Sequence, residues 1–94
     1  MAVTFEQARE IVERALRPEW TAEYGTLVTM PYGWEDEQSW QVVAGAEEAL
    51  VGGDFNYEIM DQPAFLVDKA TGRLDQPVKI TVLDRLDRMT PVGP

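Results

Sequence analysis

Apolar residues recur at steps of three and four along the first part of the chain: Phe5, Ala8, Ile11, Val12, Ala15 and Leu16. That spacing predicts an amphipathic helix with one stripe turned to a core. Thr4-Phe5-Glu6-Gln7 supplies its start as a capping box, in which Thr4 accepts from a backbone N–H and Gln7 reaches back. Glu10–Arg14 and Glu13–Arg17 are i,i+4 pairs in the favourable order. Pro18 disfavours helical geometry at Arg17, so the helix is expected to stop there.

The pattern then changes to short β-prone runs. Thr26-Leu27-Val28-Thr29-Met30 is one, ended by Pro31. Pro31-Tyr32-Gly33-Trp34 is read as a turn and Glu35-Asp36-Glu37-Gln38-Ser39 as a polar crossing. Together they predict a hairpin with a long loop and the acids at its tip. Trp34 beside those acids is either a loop anchor or an exposed aromatic suited to a contact. Trp40-Gln41-Val42-Val43-Ala44 reads as a central strand ended by Gly45. Ala46 to Val51 favours one or two helical turns, with Leu50 inward, Glu47 and Glu48 outward, and Gly52-Gly53 as the stop. Asp54-Phe55-Asn56-Tyr57 is turn chemistry. Glu58 to Gln62 is irregular or a short edge strand before Pro63.

Ala64-Phe65-Leu66-Val67 is the second central strand. Asp68 to Arg73 forms a hairpin turn in which Asp68 bonds the loop backbone and Gly72 takes the positive-φ position. Arg73-Leu74-Asp75 is a short return strand. Thr81 reads as a second N-cap with Asp84 three positions on, followed by Leu83, Leu86 and Met89 at helical spacing until Pro91. The sum is an α+β fold: an N-terminal amphipathic helix on a small antiparallel sheet of three to four strands, with a short C-terminal helix.

Length and composition narrow the function. Ninety-four residues make one domain with one core. No apolar run approaches the about 18 residues of a membrane span. The N-terminus lacks a signal-peptide layout, and there is no Cys, so a cytoplasmic protein held by packing alone is expected. The net charge of −9 is unevenly placed. Between Pro18 and Asp68 there are eleven acids and no Lys or Arg, whereas the flanks hold eight bases and six acids. A block of one sign argues against nucleic acid as a partner. It serves either solubility or recognition of a basic partner.

Catalytic chemistry finds little support. With no His, the commonest general base and metal ligand is missing. Ser39 is the sole serine and would need an unusual base. Glu35, Asp36 and Glu37, or Glu47 and Glu48, are sequence neighbours that seldom reach the unlike environments an acid–base pair needs. Asp54-Phe55-Asn56-Tyr57-Glu58 loosely resembles the start of a calcium loop. It has Ile59 where that loop needs glycine and Phe65 where it needs an acid. No metal, cofactor or catalytic residue is expected, and the chain reads as a non-enzyme.

Several features in order resemble the immunity protein 35 (YrhB-like) family of bacterial polymorphic toxin systems. They are the strand Trp40-Gln41-Val42-Val43, Ala46-Glu47-Glu48-Ala49-Leu50, Gly53-Asp54-Phe55, Pro63-Ala64-Phe65-Leu66-Val67-Asp68, the Lys69 to Arg73 hairpin and a final short helix. The opening Phe5-Glu6-Gln7-Ala8 fits as well. Ser39 stands where members carry Gly before the strand Trp, and Gly33-Trp34 lies six positions earlier. The resemblance implies an α+β domain that binds and neutralises a toxin, commonly by blocking its active site. The acidic block suits a toxin that is basic at its site. Trp34, Glu35, Asp36, Glu37, Glu47, Glu48, Asp54 and Asp61 are the expected contact face. Reversing Glu35, Asp36 and Glu37 to Lys is expected to weaken partner binding and leave the fold intact. The alternatives are a holding chaperone or adaptor with exposed aromatics, and a domain with a small-ligand pocket. The oligomeric state is left open.

Overall fold

The computed structural model describes residues 2–57 and 62–93. Five strands form one antiparallel sheet: β1 (Leu27–Glu35), β2 (Ser39–Ala46), β3 (Phe65–Asp68), β4 (Leu74–Asp75) and β5 (Thr90–Val92). Their order across the sheet is β4-β3-β2-β1-β5. The helices are α1 (Phe5–Leu16), α2 (Glu47–Leu50) and α3 (Leu83–Asp87). The α+β class is as expected, with one strand more than the sequence suggested.

The capping box forms as read: Thr4 Oγ1 accepts from the Gln7 N–H at 3.1 Å, and Gln7 Oε1 accepts from the Thr4 N–H at 2.8 Å. Two of the four free N–H groups at the helix start are thereby satisfied. Ala8 and Val12 are fully buried against Val42, Ala44, Phe65 and Val67, flanked by Phe5, Ile11 and Leu16. Ala15 departs from the expected stripe and is exposed, because the sheet meets only the Ala8–Val12 side of this turn. Glu13–Arg17 pairs as expected. Arg9 pairs with Glu6 at 3.0 Å and donates to the Thr29 carbonyl at 2.9 Å, tying α1 to β1. Glu10–Arg14 is not among the ion pairs of the described residues.

Pro31 does not end β1. The β1–β2 register shifts between Thr29 and Gly33, and Pro31 lies inside that bulge, where its missing N–H breaks no ladder bond. The hairpin is therefore tight rather than long-looped: Asp36 to Gln38 alone connect the strands, and Glu35 is a strand residue opposite Trp40. Gly33 lies where backbones approach closely. A Cβ there would stand 2.2 Å from the Gln41 carbonyl oxygen and 2.9 Å from the Phe5 ring.

Even-numbered positions of β2 and odd-numbered positions of β3 face α1, so Gln41, Val43, Ala64 and Leu66 face the other way. That second face is covered in part. Ala64, Leu66 and Met89 form a small core with Trp34, Val82 and Leu86. The final segment differs from expectation. Thr81 is not an N-cap: its hydroxyl donates to the Val78 carbonyl at 2.7 Å, and Val82 occupies the cap of α3 without a side-chain bond. Pro91 does not close the chain's structure either. It sits in β5, an edge strand on β1, a place where a residue without an N–H is tolerated.

The β3–β4 hairpin is as read. Asp68 Oδ1 accepts from the N–H groups of Ala70 and Thr71 at 2.8 and 2.9 Å, which lowers its pKa, and Gly72 has φ +76°.

Candidate functional site

The acidic residues singled out in the sequence fall into two groups at opposite ends of β2. Glu35, Asp36 and Glu37 lie at the β1–β2 turn. Glu47, Glu48 and Asp54 lie beyond Ala46. Six residue steps of strand separate Trp40 from Ala46, about 20 Å at 3.3 Å per step. These acids are thus two patches and not one contiguous face. Asp61, and the reading of Glu58 to Gln62 as irregular or edge strand, fall on or next to residues 58–61, outside the described residues.

At the turn, the bases of the C-terminal flank fold back onto the acids. Lys69 Nζ reaches Glu35 Oε1 at 2.7 Å and stands 4.2 Å over the Trp40 ring. Arg85 Nε reaches Asp36 Oδ2 at 2.7 Å, and a second Arg85 nitrogen donates to Ser39 Oγ at 3.0 Å. Asp36 Oδ1 also accepts from the N–H groups of Gln38 and Ser39 at 2.9 and 2.8 Å. The Arg85 hydrogen bond and these backbone donors hold the Asp36 pKa down at about 2. Such a carboxylate is a poor proton acceptor at neutral pH, and the buried Ser39 beside it is occupied by Arg85. Glu37 is exposed and lines a shallow hollow with Lys69, Arg88 and Thr90. Two of the three tip acids are thus paired with bases, and Arg88 lines the same hollow as the third. Reversing all three acids would set like charges against Lys69 and Arg85. The expectation that this change leaves the fold intact is corrected accordingly.

Trp34 is half-buried in the second core and edge-on to Tyr32 at 6.4 Å. It anchors β1 to the segment that carries α3.

The α2 end has the opposite character. Glu48 Oε1 accepts from the Thr26 N–H at 2.9 Å and Glu48 Oε2 from the Thr26 hydroxyl at 3.2 Å, which lowers its pKa. Asp54 Oδ1 accepts from the Asn56 N–H at 3.0 Å and starts the 3-10 turn Phe55–Tyr57. Glu47 is exposed. None of these three carboxylates is in an ion pair among the described residues. Of the expected contact set, the described carboxylates in no ion pair are therefore Glu37 at the tip and Glu47, Glu48 and Asp54 beyond the C-terminal end of β2.

Beside it opens the larger cavity, about 820 Å³, on the face of β2 turned away from α1. Gln41, Val43 and Gly45 lie on the sheet, Ala49 and Leu50 belong to α2, and Val78, Ile80 and Leu83 come from the segment before and within α3. Ile80 is 75% exposed, Val78 62% and Leu83 49%. Leu50, expected inward, lies over Gly45 at the groove and is still partly exposed. Sequence reading missed this groove. The one local signal was Val78 and Ile80, apolar residues on either side of Lys79, in an alternating run that the structure nevertheless builds as the 3-10 turn Lys79–Thr81.

Among the described residues, no cluster of three or more Asp or Glu side chains could hold a metal ion. No helix among them is long and apolar enough to cross a membrane. No family model, curated protein or solved structure matches the chain.

Proposed function

We propose that this chain is a non-catalytic cytoplasmic binding protein that neutralises a cognate bacterial toxin domain of basic character, without a cofactor. The observation that carries this reading is the residual charge. Glu35 and Asp36 at the β1–β2 turn are paired with Lys69 and Arg85, whereas Glu47, Glu48 and Asp54 around α2 are in no ion pair among the described residues and adjoin exposed apolar side chains. A field of one sign speeds encounter with an oppositely charged partner, and apolar side chains beside it hold the complex once formed. Among the described residues, Glu37 and Glu47 are the exposed carboxylates of the expected contact set. Glu35, Asp36, Glu48 and Asp54 also serve the fold through the bonds described above.

The test is co-expression. The chain is produced in cells together with the toxin domain encoded beside its own gene, and growth is followed. Rescue that depends on the chain supports immunity; toxicity unchanged at equal expression removes it. Phe55, 85% exposed, favours a second reading as a holding chaperone or adaptor. That reading requires many clients rather than one stoichiometric partner.

A further inference from the structure

Two cores lie on opposite faces of the sheet, and among the described residues they share no side chain. The larger packs Ala8 and Val12 on Val42, Ala44, Phe65 and Val67, and no residue of 78–93 belongs to it. The smaller sets Met89, Val82 and Leu86 against Ala64, Leu66 and Trp34. Residues 78–93 therefore supply one whole side of the smaller core and nothing to the larger. Their own hold is slight. Met89 is their one buried residue, Val78, Ile80 and Leu83 are exposed, and α3 has five residues with no side-chain cap. A helix that short does not persist without packing. β5 pairs with three residues of β1, Gly33 to Glu35, and those keep β2 on their other side. Just before this segment the Pro77 carbonyl accepts from the Ala64 N–H at 3.0 Å, which fixes the chain beside β3. Past that point the charge-assisted bonds converge on Arg85, 2.7 Å to Asp36 Oδ2 and 3.0 Å to Ser39 Oγ.

Parts of a domain with few buried apolar contacts open at lower free energy than its core, often as contiguous units. We infer that residues 78–93 are a latch of this kind. It swings away as one unit from a hinge after Pro77, with Arg85 on Asp36 and Ser39 as its clasp, while α1 and strands β1 to β4 stay folded. The open form bares the outer edge of β1 from Gly33 to Glu35 and the side of the sheet that carries Leu66, both covered in the closed form. An uncovered strand edge pairs readily with another strand, so the clasp decides how often that edge is offered. The latch is a property of the fold and holds whatever partner the chain binds.

The experiment is amide hydrogen exchange of the full chain, read by NMR at several urea concentrations below the unfolding transition. The amides of Leu86 and Met89, which donate to the Val82 and Leu86 carbonyls, report the latch, and those of Val12 and Val42 report the body. Leu86 and Met89 should exchange through one common opening with a smaller urea slope, and should be about a hundredfold less protected than Val12 and Val42. Two variants separate a latch from a single cooperative domain. Val67→Ala thins only the larger core, so it should quicken Val12 and Val42 about thirtyfold and leave Leu86 and Met89 unchanged. Arg85→Gln loosens a bond that every opening breaks, so it should quicken all four amides by the same factor, about tenfold. Equal protection of the two pairs, different urea slopes for Leu86 and Met89, or a Val67→Ala variant that quickens all four amides alike would overturn the latch. An Arg85→Gln variant that leaves Leu86 and Met89 unchanged would overturn the clasp.

Discussion

Asp36→Asn keeps the size of the side chain and its capacity to accept from the Gln38 and Ser39 N–H groups while removing the charge that faces Arg85. In the folded chain the Asp36 carboxyl titrates at about 2 against an ordinary value of 3.8. The folded value is depressed, so ionised Asp36 stabilises the fold fully above the unfolded pKa, near pH 4. That contribution fades as pH falls through the folded value near 2. A shift of nearly two units corresponds to about 2.5 kcal/mol. The side chain remains 26% exposed, which screens the pair, so about 1–2 kcal/mol is expected at pH 7. In a domain of this size 1 kcal/mol moves Tm by about 4–8 °C, so the variant should melt roughly 5–12 °C lower. Urea unfolding of the wild type and D36N between pH 7 and pH 2 measures this directly. The gap should be constant from pH 7 to about pH 5, narrow below pH 4 and close near pH 2. Equal stability of the two proteins at pH 7 would refute the assignment of Asp36 to the fold. A gap that persists unchanged at pH 2 would refute its electrostatic cause.

Other substitutions test separate parts of the structure. Gly33→Ala drives a Cβ into the Gln41 carbonyl and the Phe5 ring; it should cost about 1–3 kcal/mol in urea unfolding, whereas Gly53→Ala meets no neighbouring atom and isolates the backbone effect. Thr4→Ala removes half of the capping box and should cost about 1 kcal/mol, with faster amide exchange in the first turn of α1 as its local signature. Val67→Ala empties a fully buried site between α1 and the sheet, and about 2 kcal/mol should be lost without a change in the denaturant slope. Ile80→Gln should leave stability within about 0.5 kcal/mol of the wild type, since its side chain is already in water.

What the sequence disclosed was local. The capping box, the stripe from Phe5 to Leu16, the turn at Asp68 and the strand from Trp40 each depend on residues within one or two turns of each other, so composition and spacing were enough. Pro31 and Pro91 misled, because a proline usually ends a strand. Whether it does depends on the unpaired position given to it by a bulge or a sheet edge, which other segments decide. The tip acids misled for a related reason. Arg85 meets Asp36 across 49 positions and Lys69 meets Glu35 across 34, and no local pattern marks either pair. The one-signed block from Pro18 to Asp68 was legible as a count. That Glu35 and Asp36 are paired while Glu47, Glu48 and Asp54 are in no ion pair among the described residues became visible once the flanks were folded back on it. The groove is the furthest from local reading, since β2, α2 and residues 78–83 must be assembled before it exists.

Titration calorimetry of the purified chain with the purified candidate toxin domain that the proposed function calls for, repeated across a range of salt concentrations, tests the central claim most directly. A single site at one-to-one stoichiometry is predicted, with affinity falling as salt rises and with Glu47→Lys reducing that dependence. No heat of binding at any salt concentration, or binding indifferent both to salt and to Glu47, would contradict it.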